Sequence, residues 1–267
     1  MLSATRLYFL LLAASIRAQM QYRASFLMGA VGQFLITGIE IVGIWALFDR
    51  FGQLQQWSFP QVAFFYGTIS IAFALGDALG TGFDRMASLV RGGEFDRILL
   101  RPRATVLQVL GLELALRRVG RLLQGVLVFT VALGFLEIPW TAGSVGLLCL
   151  TIFGGVCLFL GIFMVQGALT FWTTEALETV NAFSYGGVTA GQYPITIYED
   201  WFRRFFTFVV PLACVSYLPL TLVLNVPDQL GVSPVLRALA PMAGTLFLLM
   251  ALILWIYGVR KYKSTGS

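Results

Sequence analysis

The chain has 267 residues, of which 58% are hydrophobic and 12% charged, with a mean hydropathy of +0.83; soluble domains carry roughly 25% charged residues. That balance excludes a sizeable soluble domain and describes a chain embedded in a membrane over most of its length. The net charge of +5 and the absence of histidine exclude further classes. The arginines gather in loops and at the ends of apolar runs, where topology rather than nucleic acid accounts for them, and without histidine the commonest general base, proton relay and metal ligand is missing.

At the N-terminus Arg6 precedes an apolar run from Leu7 to Ala14, which imitates a signal peptide. Arg17, Gln19, Gln21 and Arg23 keep the region of any cleavage site polar. An amphipathic helix over 1–25 on the inner membrane surface fits better, with Arg6, Arg17 and Gln21 on one side and Tyr8, Leu11 and Leu12 facing lipid. The first span is Phe26 to Phe48, close to the roughly 20 residues a crossing needs. Asp49-Arg50 end it, and a short polar loop follows with Trp57, an interfacial residue type, and Pro60. The second span runs from Gln61 to about Gly82. The polar stretch 83–121 begins at once, carrying Arg85, Arg91, Arg97, Arg101, Arg103, Arg117, Arg118 and Arg121. Short Lys/Arg-rich loops stay cytoplasmic, so this loop is inside, the 49–60 loop outside and the N-terminus inside.

The third span occupies Leu122 to Leu136, in a helix that begins near Thr105, because Glu113 and Arg117 have the i,i+4 spacing of a helical ion pair. Glu137, Pro139 and Trp140 read as an outer turn. A long fourth stretch runs from Gly143 to about Trp172, and the last clear span is Val235 to Gly258. Arg260, Lys261 and Lys263 after it place the C-terminus inside. Between Thr173 and Asn225 two readings stand. Hydropathy selects Phe205 to Leu224 as the fifth span, although Pro211 and Pro219 divide it. The alternative is a weaker span at 175–192 followed by a re-entrant pair of short helices, tolerated where protein covers the exposed backbone. Both give six crossings, and they put Arg203 and Arg204 on opposite sides. No internal repeat or linker appears, so 1–267 is one membrane domain.

Several features inside the spans invite a role. Glu40 and Asp77 are ionisable groups at membrane depth, where charge is costly and often functional. Their linear depths differ, which disfavours a shared proton relay; Asp77 is expected to meet Arg85 or another inner arginine, and Glu40 to face the outer vestibule. Ala72, Gly76 and Gly80, and the pair Gly187 and Gly191, allow close helix approach. Cys149, Cys157 and Cys214 lack metal-site spacing and read as buried small hydrophobes. Phosphate-loop, nucleophile-elbow and H-E-x-x-H patterns are absent, so an ATP-driven machine built on this chain takes its ATPase from another polypeptide.

Within the inner loop, Gly92-Gly93 break one helix, Glu94 and Asp96 suit the first turn of the next, and Pro102 stops the run. Phe95, Ile98 and Leu99 at i, i+3 and i+4 form an apolar face bordered by Asp96, Arg97 and Arg101, the form of a short helix that docks in a partner's groove. The competing reading is a loop helix packed on its own protein.

The run Gly93-Glu94-Phe95-Asp96-Arg97-Ile98-Leu99-Leu100-Arg101-Pro102 resembles a G-x-[FL]-D-x-x-L-[LI]-R-P loop. With Tyr193-Pro194-Ile195, Trp201-Phe202-Arg203, Phe208 to Ala213, Tyr217-Leu218-Pro219 and the ending Trp255 to Ser264, the chain resembles the membrane subunits of ABC-2 type ATP-binding-cassette transporters, most closely the viologen-exporter-type permeases. The resemblance implies an all-α integral membrane protein with six transmembrane helices, an N-terminal amphipathic helix, a coupling helix between spans two and three, and re-entrant outer helices over 193–224. It also implies two permease subunits, identical or homologous, with two copies of a separate ATPase that carries ATP and magnesium, this chain binding no cofactor itself. The setting is the bacterial inner membrane, with both termini cytoplasmic and no nucleic-acid partner. Under this resemblance Glu94, Phe95, Asp96, Arg97, Ile98, Leu99 and Arg101 couple to the ATPase, with Phe95, Ile98 and Leu99 as the ball of the joint. Tyr193, Pro194, Trp201, Pro211, Tyr217 and Pro219 form the outer motif. The expected function is export of a hydrophobic, amphiphilic, cationic or lipid-like cargo, as in multidrug efflux. The alternatives are a membrane scaffold that tethers an ATPase and, more weakly, a secondary carrier.

Overall fold

A backbone in lipid must satisfy its own hydrogen bonds, and the regular elements of the structure, a computed structural model that describes residues 16–17, 20–21, 23–112, 118–173 and 186–263, are helices. In chain order they are α1 (Arg23–Phe51), α2 (Phe59–Asp84), α3 (Met86–Arg91), α4 (Phe95–Leu99), α5 (Thr105–Leu110), α6 (Val119–Phe135), α7 (Ala142–Leu169), a helical segment at 186–191, α8 (Asp200–Phe208), α9 (Leu212–Val215), α10 (Tyr217–Val223), α11 (Pro234–Leu239) and α12 (Met242–Lys261). Among the described residues α1, α2 with its continuation α3, α7 and α12 are long and apolar enough to cross a membrane, and α6 is a shorter apolar helix.

Four boundaries differ from the sequence reading. The helix of span three is not continuous from Thr105: α5 stops at Leu110, capped by Gly111, and α6 starts at Val119. The stretch Phe205 to Leu224 does not form a straight span, because α8 and the α9–α10 segment are bent by 72° across the Val209–Pro211 break, where proline has no N–H to continue a helix. The final span is likewise divided, with α11 ending before Ala240-Pro241 and α12 beginning at Met242. Span one extends through Asp49-Arg50 to Phe51. The interfacial helix expected over 1–25, the Glu113/Arg117 pair and most of the 175–192 span lie outside the described residues, apart from the helical turn at 186–191.

Helix α2 is the centre of the bundle, buried along most of its length between α6 and α7. The Ala72, Gly76, Gly80 row of α2 lies along Gly155, Phe159 and Phe163 of α7 at matching i,i+4 steps, so the two helices run parallel, the small residues making room for the Phe159 and Phe163 side chains. Helix α6 runs antiparallel on the other side: Gly67 lies on Phe129, and Gly125 on Ser70. Helix α12 packs parallel to α7, and here too the approach is close. A Cβ on Gly244 would fall on the carbonyl oxygen of Gly154. Helix α1 rests mainly on α6, with Gly120 against the carbonyl of Ala30, and leaves Leu27, Val31, Leu35, Ile39 and Val42 exposed, an apolar face suited to lipid.

The closeness of α7 and α12 gives a direct test. Gly244→Ala forces the helices apart, and overpacking of this kind costs about 1–3 kcal/mol. The detergent-solubilised variant is expected to melt at least about 2 °C below the parent. Gly146→Ala, on α7 where a Cβ meets nothing within 4 Å, is expected to leave the melting temperature unchanged.

Candidate functional site

The arginine-rich loop is folded tightly onto the end of the bundle. Gly93, at φ +67°, makes the turn from α3 to α4 in a conformation that favours glycine. The turn points Phe95 into the bundle, where it is fully buried. Its ring lies 5.1 Å from Phe171 and 5.1 Å from Tyr262, and Phe171 is 5.3 Å from Trp255, which in turn is 5.0 Å from Phe83. One aromatic box therefore joins the loop to the ends of α2, α7 and α12. Burial, and secondarily the Asp96 carboxylate beside it, push the Tyr262 phenol above its ordinary pKa.

The return arm is fixed as firmly. The Gln108 amide donates to the carbonyls of Ile98 and Arg103, both at 3.1 Å, and the Trp255 indole N–H donates to Thr105 Oγ1 at 3.0 Å. This geometry corrects the expected ball of the joint. Phe95 and Ile98 face their own protein and are buried, because the bundle end supplies an aromatic pocket of its own. Asp96 is half-buried. Glu94, Arg97, Leu99 and Arg101 are exposed, and they share the outward rim with Leu100, which is 85% exposed and was not singled out by the spacing.

Polar groups within the bundle occur at two depths. Near the arginine-rich end, the buried Asp77 of α2 makes an ion pair with Arg118, which also reaches Asp84 at 3.4 Å. Arg118 is thus the inner arginine that meets Asp77, and Arg121 sits over the Phe73 ring at 4.8 Å. About 16 Å back along α2, the Gln124 amide donates to the Tyr66 hydroxyl at 3.4 Å, and that hydroxyl lies 3.0 Å from Glu40 Oε2 and 3.1 Å from the Thr37 carbonyl. One turn inward from Tyr66, Gln192 donates to Ser70 Oγ at 3.2 Å. Tyr66 and Gln124 are the residues that hydropathy passed over; a phenol and an amide within otherwise apolar runs were the available signal.

At the opposite end, the Trp57 indole N–H donates to Thr196 Oγ1 at 3.3 Å and its ring lies 6.1 Å from Tyr217. The outer-motif residues therefore share the end of the bundle that carries the 52–58 loop. Tyr193 is half-buried, Pro194 buried, and Pro211 sits in the bend; Pro219 lies in the first turn of α10, and Tyr217 accepts from the Gln229 N–H at 3.2 Å. Trp201 is exposed on α8 beside Arg204, while Arg203 pairs with Asp200. Arg237, unremarkable in an apolar run, is buried and donates to the carbonyls of Leu218 and Val226 at 3.4 and 3.3 Å. Of the cysteines, Cys149 is exposed on α7, contrary to expectation. Among the described residues no group of three His, Cys, Asp or Glu side chains could hold a metal ion.

The fold and these sites define a multi-pass helical membrane protein with a structured polar platform at one end. The model of a family described as "ABC-2 family transporter protein" matches residues 34–266, and the chain belongs to that family. It is thus a permease subunit of an ABC transporter, a transport component rather than a catalyst, of a kind that works with an ABC ATPase. No curated protein and no solved structure matches the chain.

The inner ion pair yields a second prediction. Removing one member of a buried pair strands the other charge and costs about 3 kcal/mol, so Asp77→Asn is expected to unfold at markedly lower denaturant. The Asp77→Asn/Arg118→Gln double variant is expected to recover more than half of that loss, and equal destabilisation of the two would contradict the pairing.

Proposed function

We propose that this chain is the membrane subunit of an ATP-driven exporter, and that its ATPase docks on the rim formed by Glu94, Arg97, Leu99, Leu100 and Arg101. The observation that carries the reading is the aromatic box beneath that rim. A rim that merely tethered an ATPase needs no rigid connection to the spans, whereas Phe95, Phe171, Trp255 and Tyr262 join it to α7 and α12. A push on Leu100 is thereby delivered to helix ends. The buried residues Phe95 and Ile98 serve as the base of the joint, Asp96 sits at its edge, and the exposed residues make the contact.

The arginine content of the loop supports a cytoplasmic position for this end, with both termini on the same side and the Trp57 end outside. In this arrangement 193–224 is the outer re-entrant region, and Tyr193, Pro194, Trp201, Pro211, Tyr217 and Pro219 shape the exit. The complex holds two permease subunits, identical or homologous, and two ATPase subunits that carry ATP and magnesium, in a bacterial inner membrane. The cargo is a hydrophobic, amphiphilic or cationic small molecule or a lipid-like one.

The test separates rim from base. Truncating or charging a central apolar contact commonly costs more than about 2 kcal/mol of binding, so Leu100→Asp is expected to weaken co-purification of the ATPase at least about tenfold with the melting temperature unchanged. Phe95→Ala removes a buried ring at about 3–5 kcal/mol and is expected to lower the melting temperature as well. Full ATPase association and full coupled hydrolysis in Leu100→Asp would exclude the rim as the docking surface.

A further inference from the structure

Arg203 and Arg204 of α8 stand at the end of the bundle opposite the arginine-rich loop, so a single cytoplasmic face does not account for both groups of arginines. Ring contacts fix how α8 is turned. Phe202 stacks on Tyr198 at 4.6 Å and packs on the buried Phe206 at 4.6 Å, so this face meets the bundle. The outward side divides in two. Trp201 and Phe208, 71% and 82% exposed, form an apolar edge, while Asp200, Arg203, Arg204 and Thr207 form a polar wall. That wall faces Leu230 and Val232 across a groove of about 320 Å³. Within it the two arginines are not equivalent. Arg203 is paired with Asp200, and the Thr207 hydroxyl donates to the Arg203 carbonyl at 2.7 Å. The neighbouring Asp228 accepts from the Val232 N–H at 2.6 Å and its other oxygen is buried. Arg204 makes no ion pair among the described residues, which leaves the polar wall with a net positive charge. It lies three residues after Trp201 and four before Phe208, hence on the same helix face as both rings. A free anion would use the arginine but not the rings, and an acyl chain the rings but not the arginine. A phospholipid of net negative charge uses both.

We propose that this groove binds an anionic phospholipid, with the phosphate on Arg204, supported by Arg203, and the acyl chains beside Trp201 and Phe208. The lipid is a resident of the bundle end rather than a cargo, and the site stands independently of the export reading.

The test uses the full purified chain in detergent, titrated with phosphatidylglycerol or phosphatidylcholine carrying the same fluorescent acyl chain and followed by anisotropy. Phosphatidylglycerol is expected to bind the parent at least about fivefold more tightly than phosphatidylcholine, and Arg204→Gln to lose that preference. Arg204→Lys is expected to keep most of it, and Phe208→Ala to weaken both lipids alike; both side chains are exposed, so the melting temperature stays unchanged. Arg50→Gln removes an exposed charge at the same end of the bundle and is expected to change neither affinity, which separates the groove from general attraction. Four results would each overturn the site: no saturable phosphatidylglycerol binding by the parent, equal affinity for the two lipids, a preference retained in Arg204→Gln, or an equal loss in Arg50→Gln. Glycerol phosphate at the same concentration is expected to leave the lipid bound; displacement of phosphatidylglycerol by it would assign the arginines to a soluble anion and overturn the lipid reading.

Discussion

Lipid removes the usual reason for helices to associate, since an apolar side chain gains little by exchanging acyl chains for another helix. The bundle depends instead on how closely its backbones approach. Ala72, Gly76 and Gly80 of α2 against Gly155, Phe159 and Phe163 of α7, and Gly154 against Gly244 between α7 and α12, bring three parallel helices together with their ends aligned. Because those three ends coincide, Phe83, Phe171, Trp255 and Tyr262 meet at one place. The socket for Phe95 thus depends on small residues along the helices as well as beside the rings, where Gly167 lies on Phe83 and Gly258 on Phe171.

The same alignment explains why the arginine-rich loop is structured. It leaves the bundle from α2 and returns into α6, and the Asp84–Arg118–Asp77 contacts tie the two points together. Gln108 and Thr105 fix the arm between them. Within the proposed exporter, the loop is then a rigid extension of the bundle, and movement of an ATPase at Leu100 displaces helices rather than bending a hinge. At the other depth, the Gln124–Tyr66–Glu40 chain crosses α6, α2 and α1, so polar contacts join helices on both sides of the central one.

The long apolar helices were legible because lipid demands length and hydropathy, and both are local properties. Breaks at Pro211 and Pro241 were harder: proline marks a candidate break, but whether a membrane helix kinks, divides or continues is decided by what covers the freed carbonyls. The loop motif was legible as a helix, with its punctuation at Gly93 and Pro102, while its orientation was not. An i,i+3,i+4 apolar face states that Phe95, Ile98 and Leu99 lie together; it does not say whether the partner is another chain or this one. The deciding rings, Phe171, Trp255 and Tyr262, lie far away in sequence. Asp77 and Glu40 stood out individually, whereas Arg118 was absorbed into a run of topology-setting arginines and Tyr66 into an aromatic-rich span, so neither pairing could be read from spacing.

Rigidity of the platform is the point on which coupling turns, and an intramolecular distance measures it most directly. Spin labels replace Arg97 on the rim and Trp140 at the opposite end of the bundle, both exposed, in complexes where labelled subunits are diluted with unlabelled ones. A loop fixed by the aromatic box predicts a single narrow distance by pulsed electron paramagnetic resonance, unchanged when ATP is bound. A distribution that broadens or shifts with ATP would show that the loop swings independently of the bundle, and would contradict direct transmission through Phe95.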